Sequence, residues 1–191
     1  MSSLAREIGV QGRLVVSYIG GLNQDREIEL LTRAVRNCPR VFLIVAGKGD
    51  QQDKVTRLMQ KMTNGIYLGW IPPTDVPQYV ALSDVVYYGL RAENPNNQFS
   101  APNALFTALA AGRAVLTTSI GEIAQIVREE ECGIVLDVLS GQAIESALER
   151  LEDQTFLRQC KQNALSAGQT RYNSSNAQRV LLDIYEALST G

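Results

Sequence analysis

Three short stretches carry the residue types that can hold an anion. Gly20-Gly21-Leu22-Asn23-Gln24-Asp25-Arg26 joins paired glycines, which allow close approach to the backbone, to an arginine that can reach a phosphate. Gly47-Lys48-Gly49-Asp50 sets a cation between two glycines. Ser100-Ala101-Pro102-Asn103-Ala104-Leu105 is a polar turn opening a helix, and a helix N-terminus offers free N–H groups and partial positive charge. Each stretch has a plainer explanation. Paired glycines serve as turn residues, a lone lysine is solvated, and Ser100 with Pro102 can form nothing beyond an N-cap and first helical turn. Neither G-x-G-x-x-G nor G-x-x-x-x-G-K-[ST] is present. The recurrence of all three at strand ends favours a shared anionic ligand over three unrelated turns. Trp70, ahead of Ile71-Pro72-Pro73, can stack on a base or pack. Glu129-Glu130-Glu131 reads as a solvated helix end, and Glu93 as a loop carboxylate.

The elements that must position these turns show in the apolar periodicity. Leu14–Ile19, Val41–Ala46, Ile66–Leu68, Asp84–Tyr88, Val115–Thr118 and Ile134–Leu136 read as strands, apolar along their length as in a sheet buried on both faces. Between them lie helices: Ile28, Leu31, Ala34 and Val35 at helical spacing, then about Gln52 to Met62, Ala104 to Ala111 and Glu122 to Glu129. Gly112 suits a left-handed C-cap. From Gly141 onward the chain is helical, with one stripe at Ile144, Ala147, Leu148 and Leu151 and another at Ala177, Val180, Leu181, Ile184 and Leu188. The fold class is α/β: one Rossmann-like parallel sheet with helices on both faces and a helical C-terminal tail. In such sheets ligands bind at the carboxyl ends of the strands, where all three turns fall.

Composition narrows the chemistry. The chain has 191 residues, 18 Lys+Arg and 20 Asp+Glu, for a formal net charge of −2 and no general attraction to nucleic acid. It contains no histidine, so no Ser-His-Asp or Cys-His pair can be built from it, and the commonest metal ligand is missing. Cys38, Cys132 and Cys160 are odd in number and widely spaced, which fits neither a disulfide framework nor a zinc site and makes a reducing, cytoplasmic setting the default. No apolar run reaches the length of a membrane helix, and the first residues lack a signal peptide's apolar stretch. No cofactor or metal is called for.

Read together, Ser100-Ala-Pro-Asn-Ala-Leu-Phe-Thr-Ala-Leu-Ala-Ala-Gly-Arg-Ala-Val resembles the donor-binding domain of group-1, family 4 retaining glycosyltransferases of GT-B architecture. The resemblance continues in order through Tyr18-Ile-Gly-Gly-Leu with Arg26, Val45-Ala-Gly-Lys-Gly, Leu68-Gly-Trp-Ile-Pro with Asp75-Val-Pro-Gln-Tyr, and Gly121-Glu122-Ile123. It spans about residues 13–191, a single domain forming one half of a GT-B fold. Residues 1–12 resemble the end of an interdomain connection. The resemblance implies a nucleotide-diphosphate sugar as ligand. Its base would lie by Trp70 and Ile71, its diphosphate near Gly20, Gly21 and Arg26 with Gly47, Lys48 and Gly49, and its sugar near Ala101 to Ala104. The partner implied is an acceptor-binding N-terminal half missing from this chain; peripheral membrane association would come only through that half.

The sequence departs from the family pattern at four places. Phe99 and Thr107 stand where two glutamates eight positions apart are usual, Ala104 replaces a lysine between Asn103 and Leu105, and Gly21 replaces an arginine. A threonine hydroxyl lacks a carboxylate's charge-assisted, bidentate grip. Losing cations beside a diphosphate weakens leaving-group stabilisation, usually a large catalytic term. Two functions therefore compete: a donor-binding glycosyltransferase domain, and a catalytically degenerate module that binds a nucleotide weakly or serves as an interaction surface. A sugar-nucleotide epimerase fits less well, lacking the acidic and histidine residues it would use.

Overall fold

A computed structural model describes residues 8–10 and 12–189 of the chain. Its strands are β1 (Leu14–Ile19), β2 (Val41–Ala46), β3 (Gly65–Tyr67), β4 (Val85–Tyr88), β5 (Ala114–Thr118) and β6 (Gly133–Leu136). The helices are α1 (Ile28–Arg36), α2 (Gln52–Met59), α3 (Val76–Leu82), α4 (Asn103–Ala110), α5 (Gly121–Glu129), α6 (Gly141–Leu151), α7 (Gln154–Thr170) and α8 (Ser174–Ser189). Two 3-10 turns, Gln24–Arg26 and Pro95–Phe99, lie in the loops after β1 and β4. The expected connection over residues 1–12 falls mostly outside the described residues.

All pairings are parallel, in the order β3-β2-β1-β4-β5-β6. β1 and β2 pair over their whole length, from Leu14 opposite Val41 to Ile19 opposite Ala46, because both are apolar on both faces. One face buries Val16, Tyr18, Leu43 and Leu116 against α1, α2 and α6, whose contacts include Leu31, Val55, Ile144 and Leu148. The other buries Val86 and Val115 against Leu105, Leu109, Ile123 and Ile126 of α4 and α5. The chain leaves β1 toward β2 on one side and later returns to place β4 on its other side. A crevice opens there, at the carboxyl ends of β1 and β4.

Several boundaries differ from those the periodicity predicts. Helix α2 stops at Met59, since Gln60 to Met62 close into turns rather than a further helical turn. α3 is a helix where a plain segment is expected; it is short and starts with Pro at its N-terminal end. Gly112 does adopt the left-handed region (φ 60) just past α4. The Ile144, Ala147, Leu148 and Leu151 stripe is buried, but the stripe on α8 is not: α8 buries no residue, and Val180, Leu181, Ile184 and Leu188 are each more than half exposed. No described helix is long and apolar enough to cross a membrane.

Candidate functional site

The crevice between β1 and β4 deepens into a cleft of about 420 Å³. Gly20, Gly21, Gly47 and Lys48 form one wall, Trp70, Ile71 and Pro73 a second, and Asn103, Ala104 and Thr107 a third. Ser17, Ile19, Val76, Val80 and Val86 complete it. The three turns singled out in the sequence thus meet at one end of one sheet, with Gly20 and Asn103 facing the same space.

Hydrogen bonds hold the turns in register. Gly20 N–H donates to Ala46 O at 3.0 Å, Leu22 N–H to Lys48 O at 3.0 Å, and Gly47 N–H to Gly69 O at 2.7 Å. These N–H groups, offered to phosphate by the sequence alone, instead extend the β1–β2 ladder at Gly20 and Leu22 and the β2–β3 ladder at Gly47. The Tyr18 hydroxyl donates to Gly21 O at 2.6 Å and the Tyr67 hydroxyl to Gly47 O at 2.7 Å. Gly47 is irreplaceable on geometric grounds: its φ is 137, and a Cβ would stand 1.8 Å from Gly20 O. Gly49 is equally crowded, with a Cβ falling 2.3 Å from Leu22 O. Close packing of one turn on the other, rather than ligand approach, accounts for these two glycines.

The charges are sparse. Lys48 is exposed, with Nζ 5.7 Å from the Trp70 ring centroid. Trp70 itself is 58 % exposed and lines the open side of the cleft rather than packing in the core. Arg26 does not line the cleft. Its guanidinium lies 4.7 Å over the Tyr88 ring, and its Nη1 is buried without a hydrogen-bond partner. Burial pushes the Tyr18 phenol above its ordinary range, Tyr88 adds to this, and Arg26 partly offsets it. The 3-10 turn carrying Arg26 is clamped to the loop after β4: Glu27 pairs with Arg91, and Asn94 Nδ2 donates to Asp25 Oδ2 at 2.6 Å. Glu27 sits in the left-handed region (φ 53), a conformation costing a non-glycine residue roughly 1 kcal/mol or more.

The third turn is built from two sides. Asn97 Nδ2 donates to Arg91 O at 2.8 Å, and Ile123 N–H donates to Ser100 O at 3.2 Å. Ser100 ends the second 3-10 turn, and the N-cap of α4 is Pro102, without a side-chain cap. The first N–H groups of α4 are left to whatever enters beside Asn103 and Ala104. Ser100, Ala101, Pro102 and Leu105, expected at the ligand, do not line the cleft: the first three are half-buried in the turn and Leu105 is core. Thr107 lines the cleft while its Oγ1 donates back to Asn103 O at 2.9 Å. Phe99 is 84 % exposed and outside the cleft lining.

Sequence reasoning missed the apolar interior of the cleft. Val76 and Val80 belong to the unpredicted α3, and Val86 sits inside a strand read only as core. Ser17 had a signal, being the one polar residue in the run Leu-Val-Val-Ser-Tyr-Ile. Among the described residues no group of His, Cys, Asp or Glu can hold a metal, and the three cysteines are free.

Comparison with known proteins gives this architecture a family. The sequence model of "Glycosyl transferases group 1" matches residues 13–154. Chitobiosyldiphosphodolichol beta-mannosyltransferase of Candida albicans is 23 % identical over 185 residues, covering 90 % of this chain and 40 % of its own length. Glycosyltransferase MJ1607 of Methanocaldococcus jannaschii, uncharacterized, is 24 % identical over 192 residues, covering 95 % of this chain and 47 % of its own. The crystal structure of Anabaena Alr3699/HepE in complex with UDP and glucose superposes with a TM-score of 0.79 at 23 % identity, covering 100 % of this chain and 52 % of HepE. The chain thus spans about half the length of the relatives it matches. It belongs to the group 1 glycosyl transferases and has the fold of the C-terminal half of a GT-B enzyme.

Proposed function

We propose that this chain is the donor-binding domain of a family 4 retaining glycosyltransferase, taking a nucleotide-diphosphate sugar and working with a separate acceptor-binding half. The observation that carries this is the meeting of the Gly20-Gly21 turn, Lys48, Trp70 and the α4 N-terminus around one cleft at the sheet's switch point. Trp70 and Ile71 offer a surface for a base, the α4 N-terminus and Lys48 offer positive potential for the diphosphate, and Arg26 stands behind the first turn with an unpaired Nη1. Occupancy of HepE by UDP and glucose supports the ligand class. Three free thiols support a reducing, cytoplasmic setting.

A second reading rests on the side chains at positions 99, 104 and 107. With Ala104 and Thr107 lining the cleft and Phe99 outside it, Lys48 is the only cation among the described lining residues. A module that retained the cleft and lost turnover fits this equally. Titration calorimetry of the chain with ADP, GDP, UDP and CDP tests the shared premise: binding of at least one is expected, and no heat with any at millimolar concentration refutes both nucleotide readings. Reconstitution with an acceptor-binding half then separates them, since only the first predicts sugar transfer.

A further inference from the structure

The deep end of the cleft carries a polar side chain with no assigned role. Ser17 lies mid-strand in β1, opposite Ile44 of β2 and Val86 of β4. It is 0 % exposed, it lines the cleft, and its Oγ has no hydrogen-bond partner. The groups around that end of the cleft, Val76, Val80, Val86 and Ala104, are apolar. A desolvated hydroxyl without a partner destabilises the empty domain, and valine would suit the surrounding strand better.

The cleft is also graded in polarity. Its cation, Lys48, and its aromatic, Trp70, are exposed at the mouth, whereas Val80 and Val86 are buried beside Ser17. A phosphate driven to the deep end would lose hydration with no countercharge in return. An uncharged polar group would lose little and would gain the hydroxyl. We infer that Ser17 is a specificity-determining residue for the nucleoside part of the donor: its Oγ makes a hydrogen bond to an uncharged oxygen or nitrogen of the nucleoside, which the apolar wall of α3 and β4 surrounds. This deepens the donor-binding reading and rests on it. Specificity follows because a ligand that leaves the hydroxyl unpaired, or brings charge to the same depth, is rejected.

The test uses the 191-residue chain, Ser17→Ala and the near-isosteric Ser17→Cys, with UDP as probe. Affinity is read by titration calorimetry and stability by thermal unfolding. Ser17→Ala is expected to weaken UDP binding three- to tenfold and Ser17→Cys by a similar factor, with Tm equal to or above wild type, since the hydroxyl is unpaired in the empty domain. UDP affinity within twofold of wild type, or tighter, in either variant overturns the proposal while leaving donor binding intact. A lowered Tm in both variants overturns it as well, because the hydroxyl would then have a structural partner. Failure of the wild-type chain to bind UDP overturns it together with UDP as its ligand.

Discussion

Thr107 is the position where one substitution interrogates the ligand and the cleft at once. It lies mid-α4 on the cleft wall, and its Oγ1 is occupied by the Asn103 carbonyl at 2.9 Å rather than turned to a ligand. Replacing it with glutamate sacrifices that back-bond, which contributes little to a helix. Glutamate also has slightly better helix propensity. The half-exposed site leaves the side chain room. If the ribose reaches this wall, two charge-assisted hydrogen bonds to its hydroxyls gain about 1–3 kcal/mol. The opposing term is repulsion from the diphosphate: at about 8 Å in a water-like dielectric each charge pair costs about 0.5 kcal/mol before salt screening. With salt screening roughly halving the cost for each of two phosphate charges, the net gain of roughly 0.5–2.5 kcal/mol corresponds to a dissociation constant roughly two- to seventyfold tighter. Calorimetric titration of Thr107→Glu with UDP reads this, and thermal unfolding verifies that the variant remains folded. Unchanged or weaker affinity in a folded variant refutes the placement of the ribose beside α4.

Other consequences follow from backbone geometry and burial. Gly47→Ala forces a Cβ to 1.8 Å from Gly20 O at φ 137, so a loss of about 3 kcal/mol or more of stability is expected by urea unfolding, together with loss of nucleotide binding. Glu27→Gly relieves left-handed strain while losing the Arg91 pair and should stay within about 1 kcal/mol of wild type, whereas Glu27→Val keeps the strain, loses the pair and should be clearly less stable. Alkaline pH should destabilise the domain: burial pushes the Cys132 thiol up to about 12 and raises the Tyr18 and Tyr87 phenols further. Because folding raises these pKa values, the stability they contribute is complete below about pH 9 and drains as pH rises from there toward 12, which Tm measured from pH 8 to 11 will show.

How much was legible depends on whether a feature is local. Strands β1 and β2 announce themselves because a six-residue run, apolar throughout in β2 and broken by Ser17 in β1, bounded by glycine or a turn, has few other uses, and they appear at the predicted residues. The meeting of the three turns was legible too, since parallel strands bring their carboxyl ends together. Helix α3 was not: seven residues with an internal proline near the start and Asp75 making no side-chain cap give neither length nor signal. The roles of Gly47 and Gly49 depend on Gly20 and Leu22 across the sheet, a contact no local pattern encodes. The α8 stripe shows the converse limit. Periodicity establishes that Ala177, Val180, Leu181, Ile184 and Leu188 share a face, but burial needs an opposing surface, and among the described residues α8 finds none that covers it.

Under the proposed donor-binding function, turnover depends on charge. A departing diphosphate develops negative charge that the cleft must meet with preorganised positive potential. Here Lys48 is exposed at the mouth, Arg26 stacks on Tyr88 outside the lining, and the Gly20 and Gly47 N–H groups donate to Ala46 and Gly69 carbonyls. The α4 N-terminus beside Ala104 is the best remaining donor, which makes position 104 decisive. An ammonium at Ala104→Lys would sit at that terminus, where it is disfavoured by the dipole by about 0.3–1 kcal/mol in the empty domain and relieved of that cost when a diphosphate binds. The substitution should therefore lower Tm slightly, tighten UDP about three- to thirtyfold through about 0.7–2 kcal/mol of charge-assisted contact, and leave uridine affinity unchanged. Equal tightening of UDP and uridine, measured by titration and by ligand-observed NMR, would show that the lysine acts on the nucleoside and that the diphosphate lies elsewhere than at the head of α4.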